Sequence, residues 1–189
     1  MDRLPTLRWG EGMNRSIAVF GAGPGVGRAI ARRYGRAGYD VVLVARSQAP
    51  LDRFAEELAA QGTTAHLVTA DLAEPDLVPA LAERIRAEVG TPTVLYYGPA
   101  TDPRFTAAVD LRAERLRELM PISLYTLLAL VAEFLPAMLA RGDGAILGAQ
   151  GAGAVHGRPH MSGWPTLLAR AIHEVFEDGS VTSLFDGNA

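Results

Sequence analysis

The chain has no cysteine and no lysine: all 18 of its lysine-plus-arginine positions, in 189 residues, are arginine. Without cysteine there is no disulfide and no thiolate metal site, and no metal is expected. Without lysine, no catalytic pattern that depends on a side-chain ammonium can be written on these residues. An excess of one charge is also missing. The formal net charge of −3 provides no basic surface, so neither nucleic acid nor an anionic membrane is an expected partner. The longest apolar run, residues 122–139, is interrupted by Ser123, Glu133 and Pro136 and reads as a buried helix rather than a membrane span. Residues 1–15 are polar and broken by Pro5 and glycines, unlike a signal peptide. A cytoplasmic location is expected.

What the chain does have is hydrophobic residues, at 49% of the total, enough to build one well-buried domain. Met13-Asn14-Arg15 directly precedes the first apolar run, so residues 1–12 are expected to be an N-terminal extension and residues 13–189 a single domain. Strand-like runs fall at 16–20, 41–45, 65–69, 93–97, 145–148 and 181–185, and helix-like runs at 25–37, 51–61, 77–89, 113–120, 122–141 and 165–177. Gly38, Gly62, Gly90 and Gly142 stand where helices should stop. Regular alternation of the two patterns predicts a parallel sheet covered on both faces.

Between the first strand and the first helix runs Phe20-Gly21-Ala22-Gly23-Pro24-Gly25-Val26-Gly27. A strand, a glycine turn and a helix in that order bring a helix N-terminus to the diphosphate of a dinucleotide. Gly21 serves the tight turn, Gly25 the approach of backbone amides to phosphate, and Gly27 the close seating of the helix. Gly23 is an additional glycine, and Val26 stands where the common G-x-G-x-x-G fingerprint would place its last glycine. The fold class expected is α/β, a single-domain Rossmann doubly wound parallel sheet of strand order 3-2-1-4-5-6. Ligand belongs at the carboxyl ends of strands one and four. At the end of strand two, Ala45 is followed by Arg46 and Ser47. A carboxylate at Ala45 would repel a 2′-phosphate; alanine removes that repulsion and Arg46 can pair with the phosphate, so NADP(H) is favoured over NAD(H).

These features resemble the short-chain dehydrogenase/reductase family from Ser16 to Gly187. The family's T-G-x-x-x-G-x-G stands at residues 20–27 with Phe20 for threonine; its acidic residue after the third strand is matched by Asp71 in Ala70-Asp71-Leu72. Its N-N-A-G is matched by Tyr96-Tyr97-Gly98-Pro99, with both asparagines lost, and its L-P-x-M by residues 135–138. The resemblance implies that Gly21, Gly23, Gly25, Val26, Gly27, Arg46, Ser47, Asp71, Leu72 and Gly98 hold the cofactor, with Asp71 beside the adenine. It also implies a homodimer or homotetramer built on helices 122–141 and 165–177. The family's seventh strand has no counterpart after residues 181–185, so the sheet is expected to be truncated after strand 6, with a pocket that is shallow or completed by another subunit.

The family's proton-transfer machinery is not matched. Its asparagine position falls at Ser123, its serine at Gly151, its tyrosine at Trp164 and its lysine at Leu168. Indole is a donor that does not titrate near neutrality, and leucine carries no charge. No tyrosine anywhere is followed four residues later by lysine. Low-ranked substitutes are His160, in the loop after strand five, and Tyr97, at the end of strand four; histidine titrates near neutral pH. His156, His173, Asp102, Arg104 and Glu133 read more simply as loop, surface or interface residues. Three functions follow: an atypical oxidoreductase acting on an unknown small molecule, a non-catalytic cofactor-binding pseudoenzyme serving as sensor or partner subunit, and a redox-neutral lyase, isomerase or cyclase on the same scaffold.

Overall fold

Ile17 to Phe20 and Val41 to Val44 are shielded from water on both faces, as the middle of a parallel sheet requires. They belong to β1 (Ser16–Phe20) and β2 (Asp40–Ala45) of a computed structural model that describes residues 15–99 and 112–148. The remaining elements are α1 (Val26–Gly35), α2 (Gln48–Ala59), β3 (Ala65–Thr69), α3 (Val78–Val89), β4 (Val94–Tyr97), α4 (Ala113–Met120), α5 (Thr126–Arg141) and β5 (Ala145–Gly148). All strand pairs are parallel, in the order β3-β2-β1-β4-β5. This is the Rossmann-type doubly wound sheet: the chain works outward from β1 to β3, then returns to the other side of β1, opening a crevice between the carboxyl ends of β1 and β4. The predicted strand 181–185 and helix 165–177 lie outside the described residues, as do residues 1–12.

Alternation along each strand divides the core in two. Ile17, Val19, Leu43 and Tyr96 pack with Ala31 of α1 and Leu51, Phe54 and Leu58 of α2. Ala18, Phe20, Val42 and Tyr97 pack with Leu81 and Ile85 of α3 and Leu130, Phe134 and Met138 of α5. The glycines expected to stop helices, Gly38, Gly62, Gly90 and Gly142, all carry positive φ. At Gly142 the left-handed residue ends α5 by turning its N–H back to the Leu139 and Met138 carbonyls.

Several boundaries shift by one to three residues from the sequence pattern, and two of the differences turn on proline. The second helix starts at Gln48 rather than at residue 51, because Pro50 falls in the first turn, where a missing N–H breaks no internal bond. The predicted break near Pro121 is bridged: Pro121–Tyr125 forms a π-helical segment in which the Thr126 N–H reaches back to the Pro121 carbonyl. Ala113–Arg141 therefore runs on as one helical rod of 29 residues, long and apolar enough to cross a membrane by length and composition alone. Within it, Leu127, Leu130, Phe134 and Met138 are buried in the core beside α3 and the sheet. Glu133 is held by Arg86 of α3 at 2.8 Å, which settles it in an ion pair between helices.

At the amino ends of β1 and β4 one hydroxyl adds to the backbone bond from the Thr93 N–H to the Ser16 carbonyl. Buried Thr93 Oγ1 accepts from the Ser16 N–H and donates to the Ser16 carbonyl, both at 2.9 Å. Valine keeps the shape of threonine but leaves the buried Ser16 N–H unpaired. Thr93→Val should therefore lose about 1–3 kcal/mol of stability, measured by urea denaturation.

Candidate functional site

Three backbone contacts tie the glycine turn after β1 to the neighbouring strands. Gly21 and Ala22 both donate to the Val44 carbonyl, at 3.0 and 3.1 Å, and Gly98 donates to the Phe20 carbonyl at 2.9 Å. The turn is thereby drawn against the ends of both β2 and β4. Gly21 has φ 89°, and a Cβ there would lie 2.6 Å from the Pro99 backbone. A Cβ on Gly27 would lie 2.5 Å from the Gly21 carbonyl oxygen. Beside Gly25, in contrast, there is nothing within 4 Å. Two glycines thus let the backbone close up while the third leaves open space at the start of α1.

That space opens into a cavity of about 490 Å³ lined by residues of the turn together with Ala45, Arg46, Ala70, Leu72, Tyr96, Gly98, Pro99 and Ile122, within the roughly 300–1,000 Å³ of small-molecule sites. No acidic side chain stands in the first turn of α1. Its leading N–H groups have no acceptor within the helix and carry the positive end of the helix dipole, so the donor set facing the cavity suits an anion. A diphosphate fits this cradle: amides and no carboxylate at the helix start, with room where a Cβ would otherwise stand.

The predicted residues take definite places around it. Gly21, Gly23, Gly25, Val26, Gly27, Arg46, Leu72 and Gly98 all line the cavity. Arg46 is exposed at the end of β2, and no carboxylate among the described residues engages it. Ser47 occupies the N-cap position of α2 with no side-chain cap bond and is not part of the cavity wall. Asp71 lies between the lining residues Ala70 and Leu72; its Oδ1 accepts the Ala73 N–H at 3.0 Å, which tightens the loop after β3. That loop is tied to α5 by buried Thr126, whose hydroxyl donates to the Leu72 carbonyl at 2.8 Å.

β4 corrects one expectation. Tyr97 does not turn its phenol to the cavity: it lies on the α3 and α5 side of the sheet and donates its hydroxyl to the Ile122 carbonyl. Burial pushes its pKa well above the ordinary phenol value, so it stays protonated in that bond. Its neighbour Tyr96 lines the cavity instead, because adjacent strand residues face opposite sides. Ser123 sits half-buried in the π-helical segment and is not among the lining residues, whereas Ile122 is. Tyr96, which motif matching placed at a lost asparagine, and Ile122 were not among the expected site residues. Strand parity was the signal for Tyr96, and nothing in the sequence marked Ile122. Gly151, Trp164, Leu168, His156, His160, His173, Asp102 and Arg104 lie outside the described residues.

The chain is similar in sequence and fold to known proteins. The short chain dehydrogenase family model matches residues 15–165. A 1-deoxy-11-beta-hydroxypentalenate dehydrogenase of Streptomyces arenae is 33% identical over 133 residues, 68% of this chain and 46% of the relative. The chain spans about half the length of that curated relative. Among solved structures, a metagenomic short-chain oxidoreductase in complex with NADP superposes with a TM-score of 0.74 at 26% identity, covering 87% of this chain and 78% of the other. A short-chain dehydrogenase from Sphingobium yanoikuyae in complex with NADPH gives a TM-score of 0.62 at 30% identity, covering 71% of this chain and 52% of the other. With the family pattern running from Arg15 through the glycine turn and every described strand, the chain belongs to the short-chain dehydrogenase family.

Proposed function

We propose that the chain binds NADP(H) over the glycine turn and acts as an atypical oxidoreductase. The observation that carries the cofactor reading is the end of β2, where Ala45 and Arg46 line the cavity and, among the described residues, no carboxylate joins them in its wall. An arginine fork is well shaped for a 2′-phosphate, and both solved neighbours named above are complexes with NADP or NADPH. In this reading the amides of Gly25, Val26 and Gly27 hold the diphosphate. Arg46, with Ser47 beside it, holds the 2′-phosphate. Asp71, Leu72 and Gly98 border the adenosine.

When bound, the nicotinamide supplies or accepts a hydride. The accompanying proton has to come from a group other than the family's tyrosine and lysine, since Trp164 and Leu168 stand at those positions and lysine is absent from the chain. His160 is the titratable substitute retained here; Tyr97 is committed to Ile122. The absence of lysine also favours a second reading, a cofactor-binding protein without turnover that serves as a sensor or partner subunit. A homodimer or homotetramer belongs to the proposal as well. Leu128 and Leu139, three helical turns apart on one side of α5, are 49% and 46% exposed, and Tyr125 is 50% exposed.

Calorimetric titration should show NADP+ binding more tightly than NAD+, and Arg46→Ala should cost about tenfold in NADP+ affinity, one charge-assisted contact, while leaving NAD+ unchanged. Equal affinity for the two cofactors in the unmodified protein would remove the NADP reading. Stopped-flow loss of NADPH absorbance with a panel of carbonyl and enone substrates separates the oxidoreductase from the protein without turnover, which would be inert throughout. Leu128→Glu should shift the mass measured by light scattering from an oligomer to a monomer.

A further inference from the structure

Tyr96 is a buried residue with an unsatisfied hydroxyl. It is 1% exposed, and its oxygen has no hydrogen-bond partner among the described residues. Phenylalanine would fill the same core position without the cost of burying a hydroxyl unpaired. Other unpartnered buried polar atoms among the described residues belong to Ser16, Arg28, Arg32 and Asp143, none of which lines the cavity.

The placement of the phenol is specific. Tyr96 leaves β4 on the side that packs with Val19 and Ala22 and runs toward the carboxyl edge of the sheet, where its hydroxyl stops against Gly98. A Cβ added at Gly98 would fall on that oxygen, so a glycine at 98 makes room for the hydroxyl beside the cavity that both residues line. Gly98 is itself bonded to the Phe20 carbonyl, and a Cβ on Gly21 would meet Gly98 and Pro99. The phenol therefore ends where β4 meets the glycine turn, in the crevice at the carboxyl ends of β1 and β4. Tyr97 offers the contrast: its hydroxyl, on the other side of the sheet, is already paired with Ile122.

We propose that the Tyr96 hydroxyl is a ligand-binding group of this cavity, donating a hydrogen bond to an oxygen of the diphosphate–ribose segment of the dinucleotide. The inference rests on the dinucleotide reading above and adds to it a residue that stands where the family pattern has asparagine. Burial raises the pKa of the phenol, so it remains a donor across the physiological range and suits an acceptor oxygen. The ligand then supplies the partner that the fold does not, which couples affinity to a group that contributes nothing to the stability of the unliganded protein.

The test is Tyr96→Phe, which removes one oxygen from a filled core position, read by calorimetric titration with NADP+ and by the Tm of the unliganded protein. The expected result is NADP+ affinity weakened about tenfold, as for one hydrogen bond to a charged acceptor, with a Tm equal to or above that of the unmodified protein. An affinity within about twofold of the unmodified protein overturns the role of Tyr96 and leaves the dinucleotide reading standing. A lowered Tm in the unliganded variant shows that the hydroxyl is satisfied within the fold, and overturns it too. An unmodified protein that does not bind NADP+ at millimolar concentration fails at the earlier step, and both readings fall together.

Discussion

The fold and the site both depend on the contact between the Gly21 carbonyl and Gly27, with the Gly21 backbone pressed on Pro99. Side chains at either glycine would separate α1 from β1 and push the turn away from β4. With hydrogen in those places, the Val44 carbonyl takes two amides of the turn and the Phe20 carbonyl takes Gly98, so three strands and one helix start are fixed to one another through backbone alone. Backbone bonds of this kind are insensitive to the identity of neighbouring side chains. That explains how Phe20 can stand for threonine, and two tyrosines for two asparagines, while the cradle keeps its form.

From that junction the energetics divide between two cores and one edge. The cores on either side of the sheet hold the large apolar side chains and supply the hydrophobic term. Along the carboxyl edge, the leading amides of α1, the Arg46 guanidinium and the Tyr96 hydroxyl have no partner among the described residues. An edge whose described cavity wall carries no carboxylate selects for an anionic ligand rich in oxygen. Thr126 and Asp71 hold the loop after β3 in place as one wall of that edge, so part of the binding surface is set before any ligand arrives.

Much of this architecture was legible in the sequence because its signals are local. β1, β3, β5 and α4 have the limits that apolar runs and turn residues predict, and the glycines after four helices adopt the positive φ expected of them. Where the reading missed, the cause was a residue whose meaning depends on position. Pro50 and Pro121 resemble helix stops, yet the first falls in a first turn and the second is absorbed by a π-helical segment. The same held at the site. Which of two adjacent tyrosines faces the cavity is a question of strand parity, and a one-residue ambiguity exchanges a paired hydroxyl for an orphaned one. Ile122 reaches the cavity from the π-helical segment inside the helical rod, a tertiary fact with no motif attached.

The central claim is that the start of α1 holds a diphosphate, and it is tested most directly by amide chemical shifts in an isotope-labelled sample titrated with NADP+. The account predicts saturable shifts concentrated at the amides of Gly23, Gly25, Val26 and Gly27, with smaller changes at Gly98. A spectrum unchanged at saturating cofactor, or shifts gathered on elements away from the glycine turn, would contradict it.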